Sequence, residues 1–154
     1  MDKDAYLEIN ASQRPALALF EAMGYTYISP ADCDKQRGSR YHVLLRDILR
    51  GQLRRLNRYV YAGAENEFSA ANIERAMEDL DEPLTDGLVR TSEKIYDALL
   101  LGKSYPETVG DGKMLSFNLR YIDWDNPQNN VFHVTEEFAV DSRDRHHNAR
   151  PDIV

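Results

Sequence analysis

Apolar residues recur along this chain first at helical spacing and then, towards its end, at alternate positions. Leu17, Phe20 and Met23 are three apart and predict a short helix. Ser12 precedes it as a cap, Pro15 fits its first turn and Gly24 closes it. Residues 25–28 are β-prone up to Pro30, and 31–40 read as a polar loop. Leu45, Ile48, Leu49, Leu53 and Leu56 predict a second helix over 41–57. Gly51 in its middle costs up to ~1 kcal/mol. Tyr59, Val60 and Tyr61 form a short apolar run, broken at Gly63. Ser69 caps a third helix with Ile73, Met77 and Leu80 inside and Glu74, Glu78 and Asp79 outside. Residues 84–88 read as a turn. Thr91 or Ser92 opens a fourth helix, with Ile95, Tyr96 and Leu99 inward, Glu93 near its start and Gly102 at its end. Residues 103–113 hold Pro106, Gly110 and Gly112 and read as a loop.

From there the period becomes two. Leu115, Phe117, Leu119 and Tyr121 alternate with polar residues, as in a half-buried strand. WDNPQNN predicts a turn, and VFHVTEEFAV reads as the hairpin partner, with Phe132, Val134, Phe138 and Val140 on one face. Residues 151–154, PDIV, read as the first residues of another strand with Asp152 at its mouth. No turn residue or polar tail follows, so the chain reads as cut inside a sheet. Helices first and strands last predict an α/β or α+β fold. The expected division is a mainly helical part, 1–110, and a stranded part, 111–154, within one structural unit.

Charge sharpens this picture. The chain of 154 residues has a net charge of −7, but it is strongly segregated. Between Lys35 and Arg58 stand eight basic residues and one acid, Asp47, so this +7 segment leaves −14 on the remainder. Arg46, Arg50 and Arg54 recur every fourth residue and stack along one helix face. Such a face suits a DNA backbone, where each neutralised phosphate releases a counterion. It equally suits internal pairing with the acids of 74–82, or another domain. The single cysteine, Cys33, excludes an internal disulfide, and no zinc-ligand spacing is present. No apolar run reaches membrane-spanning length, and the first ten residues lack the apolar core of a secretory signal. The expected setting is a reducing cytoplasm.

Three stretches carry a resemblance. NIERAMEDLDEPLTDGLVRTSEKIYDALLLGKSYPE, SFNLRYIDWDNPQNNVFHVTEEFAV and the closing RPDIV resemble the amino-terminal part of the type I restriction endonuclease R subunit. The resemblance runs from about Tyr41 to Val154. It implies the start of a restriction-endonuclease-like mixed sheet of the PD-(D/E)xK type, cut before the acid–x–lysine strand. It also implies an ATP-dependent motor beyond this chain, and methyltransferase and specificity subunits as partners. The activity implied is Mg²⁺-dependent cleavage of unmodified double-stranded DNA. Pro151-Asp152 matches the first half of the nuclease motif, which makes Asp152 the expected catalytic carboxylate and metal ligand. The chemistry asks for such residues because Mg²⁺ takes oxygen ligands, neutralises phosphate charge and makes a bound water more nucleophilic. One carboxylate holds the ion weakly, so no tightly held metal is expected from this chain alone.

Other residues have two readings each. Glu136 and Glu137 are adjacent in a strand pattern, which sends one carboxylate inward unless a β-bulge turns both out; the bulge is the reading we take. Glu93 reads as a dipole-friendly surface acid. His146 and His147, in a loop with Arg150, suit phosphate contact or simple solvation, and His133 stands apart. Cys33 reads as an inert thiol and Trp124 as a packing residue rather than a base-stacking platform.

Overall fold

The structure, a computed structural model, describes residues 12–81, 83–142 and 148–154. Among them are five α-helices and four two-stranded sheets, a mixed α/β class. Contacts do not divide the chain near residue 110, which falls inside a hairpin. They group residues 46–130 into one compact unit and bring 12–45 together with 131–154 in another.

The 46–130 unit is built on one apolar core. α3 (Arg46–Leu56) contributes Leu53, which is fully buried. The helix starts five residues later than its leucine pattern suggests and runs through Gly51. β2 (Tyr59–Tyr61) and β3 (Ala64–Asn66) form a hairpin. Its two-residue loop is Ala62 and Gly63, both at positive φ, whose twist matches that of the strands. α4 (Ala70–Leu80) begins at Ser69, whose hydroxyl accepts from the Asn72 amide as predicted. It buries Ile73, Ala76 and Met77. A single 3₁₀ turn, Leu84–Asp86, leads to α5 (Leu88–Leu101). This helix begins before Thr91, at the left-handed Gly87, so Thr91 is buried in its first turn. Tyr96, expected inside, is 64% exposed.

The largest departure follows. Residues 103–113 are not a loop: β4 (Lys103–Val109) and β5 (Lys113–Leu119) pair antiparallel over seven residues. β5 therefore takes its partner from before it rather than from VFHVTEEFAV. Pro106 is tolerated because its carbonyl points away from β5 and accepts from Asn72 Nδ2 at 2.7 Å, so its missing N–H lies on the outer edge. Gly102 enters the hairpin at positive φ, and a Cβ there would lie 2.5 Å from the Leu119 carbonyl oxygen. Burial rises along β5: Leu115 is exposed, Phe117 stacks on Tyr59 with ring centroids 4.2 Å apart, and Leu119 is fully buried.

The other unit is made of shorter pieces. α1 (Arg14–Ala22) buries Leu17 and ends at Gly24, while Met23 of its predicted stripe is 64% exposed. β1 (Thr26–Tyr27) pairs in parallel with β6 (His133–Val134). Residues 31–40 are not all loop, because α2 (Pro30–Arg37) forms there. It has almost no apolar face and is set by its ends. Ser29 accepts from the Asp32 amide, Pro30 opens the helix and Gly38 closes it in the left-handed region. β7 (Val140–Asp141) and β8 (Asn148–Ala149) pair antiparallel.

Candidate functional site

The closing residues join the β1–β6 pair through a backbone ladder. Thr135 and Val154 exchange amide bonds of 2.9 and 3.0 Å, and Glu136 faces Ile153 in an antiparallel bridge. Thr26 and Ile28 amides reach the Phe132 and Val134 carbonyls on the other edge, each at 2.9 Å. Residues 132–138 thus have a parallel neighbour on one side and an antiparallel neighbour on the other. PDIV is expected to begin a strand; it is backbone-paired, but with an isolated bridge at Ile153 rather than a strand, and Asp152 is exposed, with no side-chain partner among the described residues.

The alternation breaks opposite Asp152. The Glu137 amide bonds the Asp152 carbonyl at 3.1 Å and the next amide, Phe138, bonds the Pro151 carbonyl at 3.3 Å. Successive amides of a regular strand point to opposite sides, so this is a bulge, and Glu137 takes φ +52. Neither acid enters the apolar face alone. Glu136 accepts from the Tyr27 hydroxyl at 2.9 Å, and burial, with this carboxylate beside it, pushes the Tyr27 hydroxyl pKa up. Glu137 accepts from Arg150 and, at 3.1 Å, from Gln13 Nε2. Those two donors, Arg150 first, hold its carboxyl below the usual range. Gln13 is 6% exposed, and its Oε1 is buried with no hydrogen-bond partner among the described residues.

Arg37 fastens the stretch that carries the bulge. Arg37 is 4% exposed, and its guanidinium pairs with Asp34, donates to the His42 and Ala139 carbonyls, and lies 4.2 Å from the Phe138 ring centroid. Hydrogen bonds from Arg37 and then Arg40 lower the Asp34 pKa. On the apolar side, Ile28, Cys33, Val134, Phe138 and Val140 line an open cavity of about 380 Å³. His133 also lines it, and burial lowers its pKa. Cys33 is 1% exposed, in keeping with an inert thiol.

The basic face of α3 lies in the 46–130 unit and is partly spent internally. Arg50 bonds Glu74 at 2.5 Å and Asp47 at 2.6 Å, and Arg46 reaches Glu74 at 3.6 Å. The Arg50 bonds lower the Glu74 pKa, and the same partners raise that of Arg50. Arg54 is exposed and has no ion pair among the described residues. Glu93 is an exposed residue in the second turn of α5, and Trp124 is 56% exposed with its Nε1 donating to the Leu99 carbonyl at 3.0 Å. His146 and His147 lie outside the described residues.

Sequence reasoning missed Gln13, Tyr27 and Arg37. Gln13 and Tyr27 reach acids more than a hundred residues away, and no local spacing signals such a contact. Arg37 sits at the end of a helix that has too little apolar pattern to be noticed. Mg²⁺ asks for one or two carboxylates and keeps several waters. Asp152, with Glu137 across the ladder, fits that modest demand in donor type. No group of three His, Cys, Asp or Glu able to hold an ion occurs among the described residues. Nor is any helix among them long and apolar enough to cross a membrane.

Neither a curated protein nor a solved structure matches the chain. A family model does, over residues 5–154, described as Type I restriction enzyme R protein N terminus (HSDR_N). That match spans nearly the whole sequence, and the chain belongs to the family of type I restriction enzyme R protein amino-terminal regions.

Proposed function

We propose that this chain is the nuclease-side segment of an R subunit that, in the intact ATP-dependent complex, cuts unmodified double-stranded DNA with Mg²⁺. The observation that carries the reading is Pro151-Asp152 on a hydrogen-bonded ladder, its carboxylate exposed and without a side-chain partner among the described residues, in a chain of this family. Asp152 is assigned as catalytic carboxylate and metal ligand. Mg²⁺, when bound, supplies charge neutralisation on the phosphate and a more nucleophilic water. The ladder holds Asp152 at a fixed register, and its exposure leaves room for a phosphate. Arg150, His146 and His147 are assigned to the DNA backbone. Arg54 is the free member of the α3 face, whereas Arg46 and Arg50 act first on Glu74. ATP belongs to motor domains outside this chain, and the methyltransferase and specificity subunits are the partners.

The test is Asp152→Asn in the R subunit assembled with its partner subunits. Cleavage of unmodified DNA should be lost while assembly and ATP hydrolysis persist. Cleavage at the parent rate removes Asp152 from the chemistry.

A docking role for the 46–130 unit has its own support. Leu88, Val89, Tyr96, Leu100 and Leu101 of α5 are all at least 46% exposed. Aspartates in place of Val89 and Tyr96 should weaken subunit assembly on a sizing column if this face docks, and leave it intact if it does not.

A further inference from the structure

Helix α5 has two faces, and the 46–130 unit uses only one of them. Thr91 and Ala98 are 2% and 9% exposed and turn towards the core. The opposite side of the helix carries Val89, Glu93, Tyr96 and Leu100. Their spacing of four, three and four residues is that of a two-heptad coiled-coil seam. None of them is buried: Val89 is 71% exposed, Tyr96 64% and Leu100 46%, and Glu93 is exposed as well. Leu88 and Leu101, each 67% exposed, widen the stripe on its two sides.

The order of the stripe and the charges beside it say what covers it. A spacing of four, three and four reads the same from either end. Laid antiparallel on a second copy about a twofold axis, Val89 meets Leu100 of that copy and Glu93 meets its Tyr96, and each contact occurs twice. The Tyr96 hydroxyl then donates to the Glu93 carboxylate, the one charged member of the seam. A parallel pairing would set Glu93 against Glu93, a repulsive contact. Arg90 and Asp97 favour the same arrangement. They stand seven residues apart and so share one flank of the seam. Both are exposed, and neither has an ion pair among the described residues. The twofold axis brings this flank of both helices together, so Arg90 of each copy faces Asp97 of the other. The helix has 14 residues and is about 21 Å long. A contact of that length falls short of a standard interface, so the association is weak and reversible.

We propose that the exposed face of α5 is a self-pairing surface, through which two copies of this chain associate with their α5 helices antiparallel. The inference rests on the docking reading of this face and names its occupant.

The test is sedimentation equilibrium of this chain over about a hundredfold range of concentration, with melting temperature as the check on folding. The parent should pass from monomer to dimer mass as concentration rises. Arg90→Asp and Asp97→Arg each set like charges face to face between identical copies, so each should weaken dimerisation about tenfold or more. An equimolar mixture of the two variants has opposite charges at both contacts. It should form a mixed dimer about as tightly as the parent, a recovery that unfolding cannot mimic. A parent that stays monomeric across the range overturns self-pairing. The docking reading is then judged by itself, from assembly with the partner subunits when Val89 and Tyr96 are replaced by aspartate. A dimer that neither charge variant weakens, or one that mixing does not restore, also overturns self-pairing through α5.

Discussion

The two compact units of this chain are held by different forces. The 46–130 unit has a contiguous apolar core in which Leu53, Ile73, Ala76, Met77 and Leu119 are buried to within 1%. Among the described residues, no buried side-chain nitrogen or oxygen of this unit stands without a hydrogen-bond partner. Tyr105 donates to Asp79 at 2.5 Å, Tyr121 donates to the Ala76 carbonyl at 2.8 Å, and the two hydroxyls lie 2.9 Å apart. Burial pushes the Tyr121 pKa up to about 12 and that of Tyr105 higher still. Glu107 is buried too, and it takes the Ser69 amide, the Ser69 hydroxyl and Asn72 Nδ2 within 3.0 Å. The other unit rests on short ladders and on one buried guanidinium, and among the described residues it leaves two buried amide oxygens, Gln13 Oε1 and Gln36 Oε1, without a partner. Unmet hydrogen-bond capacity collects where a protein acts, and satisfied packing collects where it only supports. The difference accords with the proposal that the working surface lies in the unit that carries Asp152.

Core truncation should break this contrast most visibly if it is wrong. Leu53→Ala is expected to cost about 2–5 kcal/mol in urea unfolding, because a fully buried leucine leaves a cavity. Arg37→Met should cost less, about 3 kcal/mol at most, since Asp34 keeps Arg40 and the methionine still covers Phe138. Equal or reversed costs would mean that the unit with Asp152 is the better packed of the two. Tyr105→Phe should lose about 1–2 kcal/mol and leave the Asp79 carboxylate with Lys103, 2.9 Å away.

The smallest expected effect is on acid stability. The Glu74 pKa is lowered in the folded state, so its contribution is complete above the unfolded glutamate value near ~4.3. It is lost as pH falls through the folded value. The pair is partly exposed, so solvent screens it. Glu74→Gln should therefore lower the urea midpoint slightly at pH 7, and the gap to the parent should narrow as pH falls below ~4.3. A gap that does not change with acid would assign the effect to packing instead.

Elements with both an apolar period and a cap were legible in the sequence. Ser69 with Ile73 and Met77, and Leu17 with Gly24, mark α4 and α1 at close to their observed bounds. α2 was hidden because its signal is in its ends, Ser29-Pro30 and Gly38, and not in an apolar face. β4 was hidden by Pro106, whose cost depends on which edge its nitrogen faces, a fact of pairing and not of sequence. The parallel β1–β6 pair joins residues more than a hundred positions apart, and no turn chemistry announces such a partner. At the candidate site, Pro151-Asp152 stood out as a word, while Gln13 and the handedness of Glu137 emerge only when three distant segments meet.

The ratio of DNA cleavage to ATP hydrolysis, in the assembled restriction complex carrying Asp152→Asn in its R subunit, tests the proposed nuclease role of this chain most directly. Loss of a metal-binding carboxylate should lower cleavage at least about a hundredfold and leave ATP hydrolysis within about twofold of the parent. Cleavage and ATP hydrolysis both at parent rates would contradict it.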